Sequence, residues 1–169
     1  MIGITEMYKD IGEMIGVKYR VVNPYKEKVN CSILIISKGY KERVKKLNPE
    51  AKIFEVRAAT FRDLIESLEM LKEIGDEKKI EESIRKIRER EREVKKLLKR
   101  KAKVNPKSKF LERIALDLNL EISEDGIELV PDYLGGNIRT HRYDLGLIER
   151  IEDRYRQVIE IINSFPSLF

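Results

Sequence analysis

The stretch SILIISKGYK, residues 32–41, decides the fold class of this chain. Residues 32–36 are predicted to be a strand, because the four residues after Ser32 are apolar and rich in β-branched side chains, which is typical of a central strand that is covered on both faces. A turn of small residues follows, and Lys41–Leu47 is predicted to be a basic helix that Asn48-Pro49 ends. A buried strand that leads into a helix through a short turn is a building unit of α/β proteins.

The same alternation continues on both sides of this stretch. Lys52–Val56 is predicted to be a second strand, and Thr60 is placed to cap a helix that runs to about Ile74. Upstream, apolar side chains at helical spacing predict a helix over residues 4–15. Downstream, Asp76–Lys103 is predicted to be one long charged helix.

The last third of the chain completes the pattern. Ser108 is placed to cap a helix that ends near Leu118. Extended strands are predicted at 120–122 and 127–130, around a turn, and a final helix at about 145–162. The order of elements favours an α/β fold with a mixed central sheet and flanking helices.

The length of 169 residues suits one domain with a real core. We therefore expect a single nucleotide-binding domain over residues 1–169, in which residues 72–107 form a charged helical insertion.

The composition limits the partners and the compartment. There are 35 basic and 30 acidic residues, so the net charge of +5 suits an anionic ligand but is too diffuse to favour nucleic acid. The single Cys excludes an internal disulfide, no apolar run approaches the ~18 residues of a membrane span, and no signal peptide is visible. These features predict a soluble, cytoplasmic protein, and the ionic bias is typical of thermophiles.

The turn at residues 37–41 is the first stretch that carries chemistry. Free backbone N–H groups at the start of a helix and the positive helix end can bind phosphate, and lysines add mobile positive charge. The candidate contacts are Ser37, Lys38, Gly39 and Lys41. The alternative is an ordinary turn between strand and helix with solvated lysines.

The second stretch is Ser123-Glu124-Asp125-Gly126. Carboxylates together with substrate phosphates often hold Mg²⁺, so Glu124 and Asp125 are candidate metal ligands. The alternative is a hairpin turn, because Asp-Gly is a strong turn signal.

The third stretch is the loop from Leu134 to Asp144, which holds the one His of the chain, two Arg, an amide and a hydroxyl. Arg binds phosphate in a bidentate manner, and a His is a candidate acid or base. The candidate residues are Asn137, Arg139, Thr140, His141 and Arg142. The alternative is a surface loop in which Asp144 caps the final helix.

Taken in order, these stretches resemble the inosine triphosphate pyrophosphatase superfamily. The matching pieces are Ile33–Lys41, Thr60-Phe61, Glu124–Ile127, Leu134-Gly135-Gly136 and Thr140–Tyr143. The resemblance places Lys41 at the family's phosphate-binding lysine. The chain departs from the family in its acidic turn, which is one residue short, and in lacking the acidic residue before the Thr-Phe pair and the downstream base-recognition motif.

A narrower resemblance is to the archaeal guanylyltransferases that build the iron-guanylylpyridinol cofactor of the iron hydrogenase of methanogens. It implies that a pyridinol hydroxyl attacks the α-phosphorus of GTP and that pyrophosphate leaves. It also implies GTP and a small aromatic hydroxyl compound as substrates, Mg²⁺ as cofactor and a homodimer.

This resemblance implies a role for each candidate residue. Lys38 and Lys41 would contact the triphosphate, with Thr60 near it. Arg142 and Arg139 would contact phosphate or the acceptor, and His141 would be an acid or base.

Two other functions stay open. In one, the protein is a pyrophosphatase of the same fold that hydrolyses non-standard purine nucleotides, with water as the nucleophile. In the other, it is a non-enzymatic interaction module that uses the charged helix 76–103, although a solvated helix with internal ion pairs also explains that segment.

Overall fold

The structure, a computed structural model, describes residues 1–166 and has two compact units. Unit 1 is Met1–Ala58 with Arg62–Ile87, and unit 2 is Ala59–Phe61 with the chain from Arg88 onward. Each unit has its own parallel sheet, so the α/β class expected from the sequence is confirmed. The length of the chain predicts one domain, whereas the structure groups its residues into these two units.

Unit 1 is built on a four-stranded sheet in the order β2-β1-β3-β4. The strands are β1 (Ile2–Thr5), β2 (Tyr19–Val22), β3 (Ile33–Ser37) and β4 (Lys52–Val56). Every neighbouring pair is parallel. The centre of β3 is buried, as its apolar sequence predicts for a strand with neighbours on both sides.

Four helices follow the strands of unit 1. They are α1 (Ile11–Met14), α2 (Lys41–Leu47), α3 (Phe61–Met70) and α4 (Glu77–Lys95), the last of which continues into unit 2. The prediction of α2 is confirmed at both ends. Among the helices of residues 1–166, none combines the length and apolarity that a membrane crossing requires.

The helix predicted over residues 4–15 is wrong. Residues 2–5 form β1, and two short helical turns follow at Glu6–Tyr8 and at α1. The apolar spacing fits a helix locally, but β1 pairs with β2 on one side and β3 on the other. These tertiary hydrogen bonds override the local pattern.

Unit 2 contains a three-stranded sheet in the order β6-β5-β7, and its pairs are parallel as well. The strands are β5 (Lys103–Pro106), β6 (Glu121–Ile122) and β7 (Ile127–Leu129), and the helices are α5 (Lys109–Asp117) and α6 (Leu147–Ser164). The mixed central sheet expected from the sequence is therefore replaced by two parallel sheets.

The long charged helix predicted over 76–103 ends at Lys95, and β5 begins eight residues later. The side chain of Asn163 explains why the chain leaves the helix here. It accepts a hydrogen bond from the N–H of Lys99 at 3.0 Å and donates one to the carbonyl of Leu97 at 2.8 Å. The predicted cap of α5 is confirmed, since the Ser108 hydroxyl oxygen accepts from the N–H of Leu111.

Residues 123–126 cross over β5 instead of forming a hairpin. Ile122 and Ile127 are both partners of Val104, so the chain passes from one side of β5 to the other within four residues. A Cβ added to Gly126 would lie 2.6 Å from the carbonyl carbon of Lys103. Glycine is needed because no side chain fits between the crossing segment and the strand beneath it.

The core of unit 2 contains a polar network around Tyr155, which is fully buried. Its hydroxyl donates to the carboxylate of Asp117, and Lys95 lies 3.1 Å from the other carboxylate oxygen. Burial, and next the hydrogen bond to Asp117, raise the pKa of Tyr155. The ring of Phe61 packs against it with a centroid distance of 4.7 Å.

Candidate functional site

The polar loop that precedes α6 is held in place by two side chains of that helix. Gln157 accepts a hydrogen bond from the N–H of Arg139 at 2.7 Å and donates one to its carbonyl at 2.9 Å. The guanidinium of Arg154 donates to the carbonyl of Thr140 at 3.0 and 3.3 Å. The backbone of residues 139–140 is therefore fixed by side chains on a regular element, which is how binding sites gain precision.

Each of the two glycines of this loop is required for a different structural reason. Gly135 has φ of 84°, a left-handed conformation that glycine adopts without strain. A Cβ on Gly136 would lie 2.0 Å from the carbonyl oxygen of Val130. The loop can therefore fold back on the end of β7 only with glycine at this position.

A chain of hydrogen bonds runs from Asp132 through Thr140 to His141. The Thr140 hydroxyl donates to the Asp132 carboxylate at 2.8 Å, and its oxygen lies 2.9 Å from Nδ1 of His141. An ionised carboxylate can only accept, so the hydroxyl proton points to Asp132 and Thr140 accepts from Nδ1–H. Nε2 of His141 is then the ring nitrogen with the free lone pair.

The Asp132 carboxylate is stabilised in its charged form. The hydrogen bond from the Thr140 hydroxyl is the main cause that lowers the pKa of Asp132, and the N–H groups of Thr140 and Tyr133 add to it. A carboxylate, a hydroxyl and an imidazole in series form the arrangement that lets a His take a proton and spread the resulting positive charge. Thr140 itself is buried and His141 is exposed.

Two tyrosine rings flank the imidazole. The ring centroids of Tyr133 and Tyr143 lie 6.3 and 5.8 Å from that of His141, and both side chains are 57% exposed. The buried guanidinium of Arg150 lies 5.5 Å from the Tyr143 centroid. The exposed imidazole therefore lies beside two exposed aromatic rings, which are suited to stack on a flat ligand.

The arginines of the loop have acidic neighbours. Arg142 donates to both carboxylate oxygens of Asp144, at 3.0 and 2.9 Å, and this pairing raises the pKa of Arg142 and lowers that of Asp144. Asp144 does not cap α6, whose N-cap is Gly146, so the capping alternative is wrong. Arg139 lies 4.0 Å from Asp153, and Asn137 is exposed.

The phosphate loop predicted at residues 37–41 lies in unit 1, and the backbone donors of residues 37–39 are already in use. The N–H of Ser37 donates to the Tyr25 hydroxyl at 3.0 Å, and that of Lys38 to the Val56 carbonyl at 3.1 Å. The N–H of Gly39 donates to the Glu55 carboxylate at 2.6 Å. What remains for an anion is the exposed side chains of Lys38 and Lys41 and the N–H groups at the start of α2, which no side chain of the N-cap residue Tyr40 caps.

The other predicted site residues lie in unit 2. Thr60 is buried just before α3, and Glu124 and Asp125 are exposed on the crossing over β5. The Ser123 hydroxyl donates to Asp125 and is the main cause that lowers the pKa of Asp125. Across residues 1–166 no three His, Cys, Asp or Glu side chains gather to hold a metal ion, so these two carboxylates are the whole support for Mg²⁺.

The sequence pattern predicts Thr140 and His141 as site residues but does not indicate Asp132. It lies eight residues before Thr140, across the turn of Gly135 and Gly136, and no helix or strand period relates the two positions. An acidic residue at the start of a glycine-containing loop that ends in Thr-His is the signal that was available.

Comparison with known proteins identifies relatives of the whole chain. Residues 3–91 match the MJ0786 family N-terminal domain, and residues 100–167 match the MJ0786 family C-terminal domain. The two matches are divided close to where the units meet in sequence, at Ile87 and Arg88. The uncharacterized protein MJ0786 of Methanocaldococcus jannaschii is 57% identical over 176 residues, which cover 97% of this chain and 95% of that protein.

Among solved structures, the chain is similar to ZnuA. One ZnuA crystal structure aligns with a TM-score of 0.59 and 10% identity, and covers 94% of this chain and 97% of that one. A ZnuA mutant that lacks residues 138–173, with zinc bound, aligns with a TM-score of 0.51 and 13% identity, over 76% of this chain and 69% of that one. At such identity the likeness concerns the α/β fold alone. The sequence matches are stronger, and by them the chain belongs to the MJ0786 family.

Proposed function

We propose that this protein is a nucleotidyltransferase in which His141 acts as general base. An acceptor hydroxyl attacks the α-phosphorus of GTP and pyrophosphate leaves. The observation that carries the proposal is the hydrogen-bond chain from Asp132 through Thr140 to His141, which leaves Nε2 free as a base.

Each group of this chain has a defined part in the step. Nε2 of His141 takes the proton of the acceptor hydroxyl while the new oxygen–phosphorus bond forms. The bond between the α-phosphorus and the bridging oxygen breaks, and pyrophosphate leaves with its electron pair. The imidazolium that results keeps its Nδ1–H bond to Thr140, and the Asp132 charge stabilises it through the Thr140 hydroxyl.

Two further features support an aromatic acceptor and a nucleotide. The exposed rings of Tyr133 and Tyr143 offer stacking surfaces beside Nε2. The ordered resemblance to guanylyltransferases supports GTP as the nucleotide. Zinc binding, as in the ZnuA mutant structure, has no such support, because the chain has one His and residues 1–166 lack a ligand cluster.

A transfer assay tests the proposal. The protein is incubated with GTP, Mg²⁺ and 4-hydroxypyridine as the acceptor probe, and pyrophosphate and the GMP adduct are measured. His141→Asn keeps a donor toward Thr140 but removes the base, and it should reduce turnover about 100-fold or more. Lys96→Gln, a change at an exposed residue of the same unit, serves as the control. Absence of adduct with the wild type, or full activity of His141→Asn, would refute the assignment.

The alternative function is hydrolysis by a pyrophosphatase. It is favoured by the exposure of His141, since the same base could act on water. Incubation with ITP, XTP and GTP without an acceptor separates the two, because fast pyrophosphate release under these conditions supports hydrolysis. An interaction module built on α4 has less support, since that helix forms internal ion pairs such as Lys95 with Glu91 at 3.1 Å.

A further inference from the structure

The carboxyl end of β1 carries a buried hydroxyl that lacks a partner. Thr5 is the last residue of this strand and is 4% exposed. Among the buried side-chain nitrogen and oxygen atoms of residues 1–166, its Oγ1 is the one without a hydrogen bond. Buried polar groups are almost always paired, so such an oxygen marks a position where a bound molecule is expected.

The topology of the sheet points to the same position. From β1 the chain goes to β2 on one side, and later places β3 on the other side of β1. The order of the strands therefore reverses at β1. In open parallel sheets, ligands bind beyond the carboxyl ends of the strands where this reversal occurs.

The register places a charged side chain on the same face as Thr5. Gly3 pairs with Arg20 and Thr5 pairs with Val22, and paired residues of neighbouring strands share a face. The segment after β2 covers this face, since Val29 packs against the buried cluster that contains Leu34 and Ile36.

The strand β2 and the covering segment border a groove of about 590 Å³, which lies beside Thr5 because Val22, the strand partner of Thr5, lines it. Its lining includes Glu6, which follows Thr5 directly, together with Arg20, Val22, Lys28 and Asn30. The lining is mainly polar, so the groove suits a small hydrophilic ligand and not an apolar one.

The charges of the groove indicate the class of ligand. Neither Arg20 nor Lys28 forms an ion pair with any described residue, whereas the carboxylate of Glu6 is engaged by Lys9 at 3.1 Å. Glu27 also lines the groove, so the two cations face one uncommitted carboxylate. A guanidinium binds carboxylate or phosphate oxygens in a bidentate manner.

We propose that this groove binds a small oxyanion, a carboxylate or phosphate compound, through Arg20 and Lys28, with the Thr5 hydroxyl as a further hydrogen-bond partner. This site is separate from the His141 loop and does not depend on the function proposed for that loop.

Titrations followed by NMR test the proposal. Amide spectra of the ¹⁵N-labelled protein are recorded with inorganic phosphate, with succinate and with sodium chloride as an ionic-strength control. Saturable shifts are expected at Thr5, Arg20 and Val29 with at least one of the two probes, and the tighter probe identifies the source of the oxyanion.

Two variants and a control make the test specific. Thr5→Val should weaken binding about tenfold, the loss expected for one hydrogen bond, and should leave Tm equal or higher because no protein partner is lost. Arg20→Gln should abolish saturation, and Arg57→Gln, at an exposed position of unit 1, should bind like the wild type.

Three results would overturn the proposal. The first is the absence of saturable shifts with both probes up to their solubility limits, which would leave only water at Thr5. The second is unchanged affinity in both Thr5→Val and Arg20→Gln. The third is a lower Tm of Thr5→Val, which would show that the hydroxyl stabilises the fold itself.

Discussion

The hydroxyl oxygen of Thr140 lies 2.9 Å from Nδ1 of His141. Because the hydroxyl proton is directed to Asp132, this contact requires a proton on Nδ1. The position of one proton in the imidazole ring therefore depends on a neighbouring threonine.

The first prediction concerns this tautomer. In the neutral wild type, ¹⁵N spectra of the His141 ring should show protonated Nδ1 and unprotonated Nε2. Thr140→Val keeps the shape of the side chain but removes the acceptor, so the preference for Nδ1–H should disappear. Ser123→Ala, a hydroxyl deletion elsewhere in unit 2, should leave the spectrum unchanged. A wild-type ring with its proton on Nε2 would contradict the assignment.

The second prediction concerns the pH dependence of Asp132. Its pKa is lowered mainly by the Thr140 hydroxyl, so its contribution to stability is present above the ordinary Asp value of about 3.9 and is lost as the pH falls through the lower folded-state pKa. In Thr140→Val the pKa of Asp132 should move up toward the ordinary value, so this pH-dependent contribution to stability should shrink. Titration of the carboxyl carbon by NMR measures the pKa, and an unchanged pKa in the variant would count against the hydrogen bond.

The third prediction concerns the crossing at Gly126. Alanine there places a Cβ 2.6 Å from the backbone of Lys103, so Gly126→Ala should lower the free energy of unfolding by about 2 kcal/mol, as overpacking does. Gly39→Ala is the matched control. It has open space around its Cβ but φ of 101°, and should cost only about 1 kcal/mol of backbone strain. Urea denaturation compares the two, and equal stabilities would be inconsistent with the close approach.

The fourth prediction concerns the buried phenol of Tyr155. Tyr155→Phe removes the hydrogen bond to Asp117, which keeps its ion pair with Lys95. The free energy of unfolding should fall by about 1.5–3 kcal/mol, the range for a hydrogen bond to a charged group. Tyr133→Phe, at an exposed position, should change it by less than about 0.5 kcal/mol. Denaturant titration of both variants tests this, and similar losses would argue against the network.

Parts of the fold were predictable because local pattern and tertiary environment agree there. The strand β4 and the helix α2 have the predicted bounds, and the cap at Ser108 forms as expected. The strand β5 was not predicted, because its single fully buried apolar side chain, Val104, follows a charged helical pattern without a visible break. Its strand character comes from pairing with β6 and β7, which no local window contains.

The candidate site was predictable to a similar degree. The density of polar side chains in the loop predicts a site that includes Thr140 and His141, and in the structure a hydrogen bond joins these two side chains. Asp132 and Tyr133 join them through a fold of the loop that depends on Gly136 packing against Val130. The N–H groups of Ser37–Gly39 are expected to be free but are hydrogen-bonded in the structure. The local sequence does not indicate this, because the acceptors lie on other segments of the chain.

The crossing of residues 123–126 also has a consequence for the order of assembly. Gly126 packs on the peptide between Lys103 and Val104. We expect this contact to form after β5 has paired with β6, because the crossing begins where β6 ends. The crossing should therefore close after the folding transition state, and Gly126→Ala should speed unfolding far more than it slows folding. Refolding rates that fall as much as stability does would instead place the crossing in the nucleus.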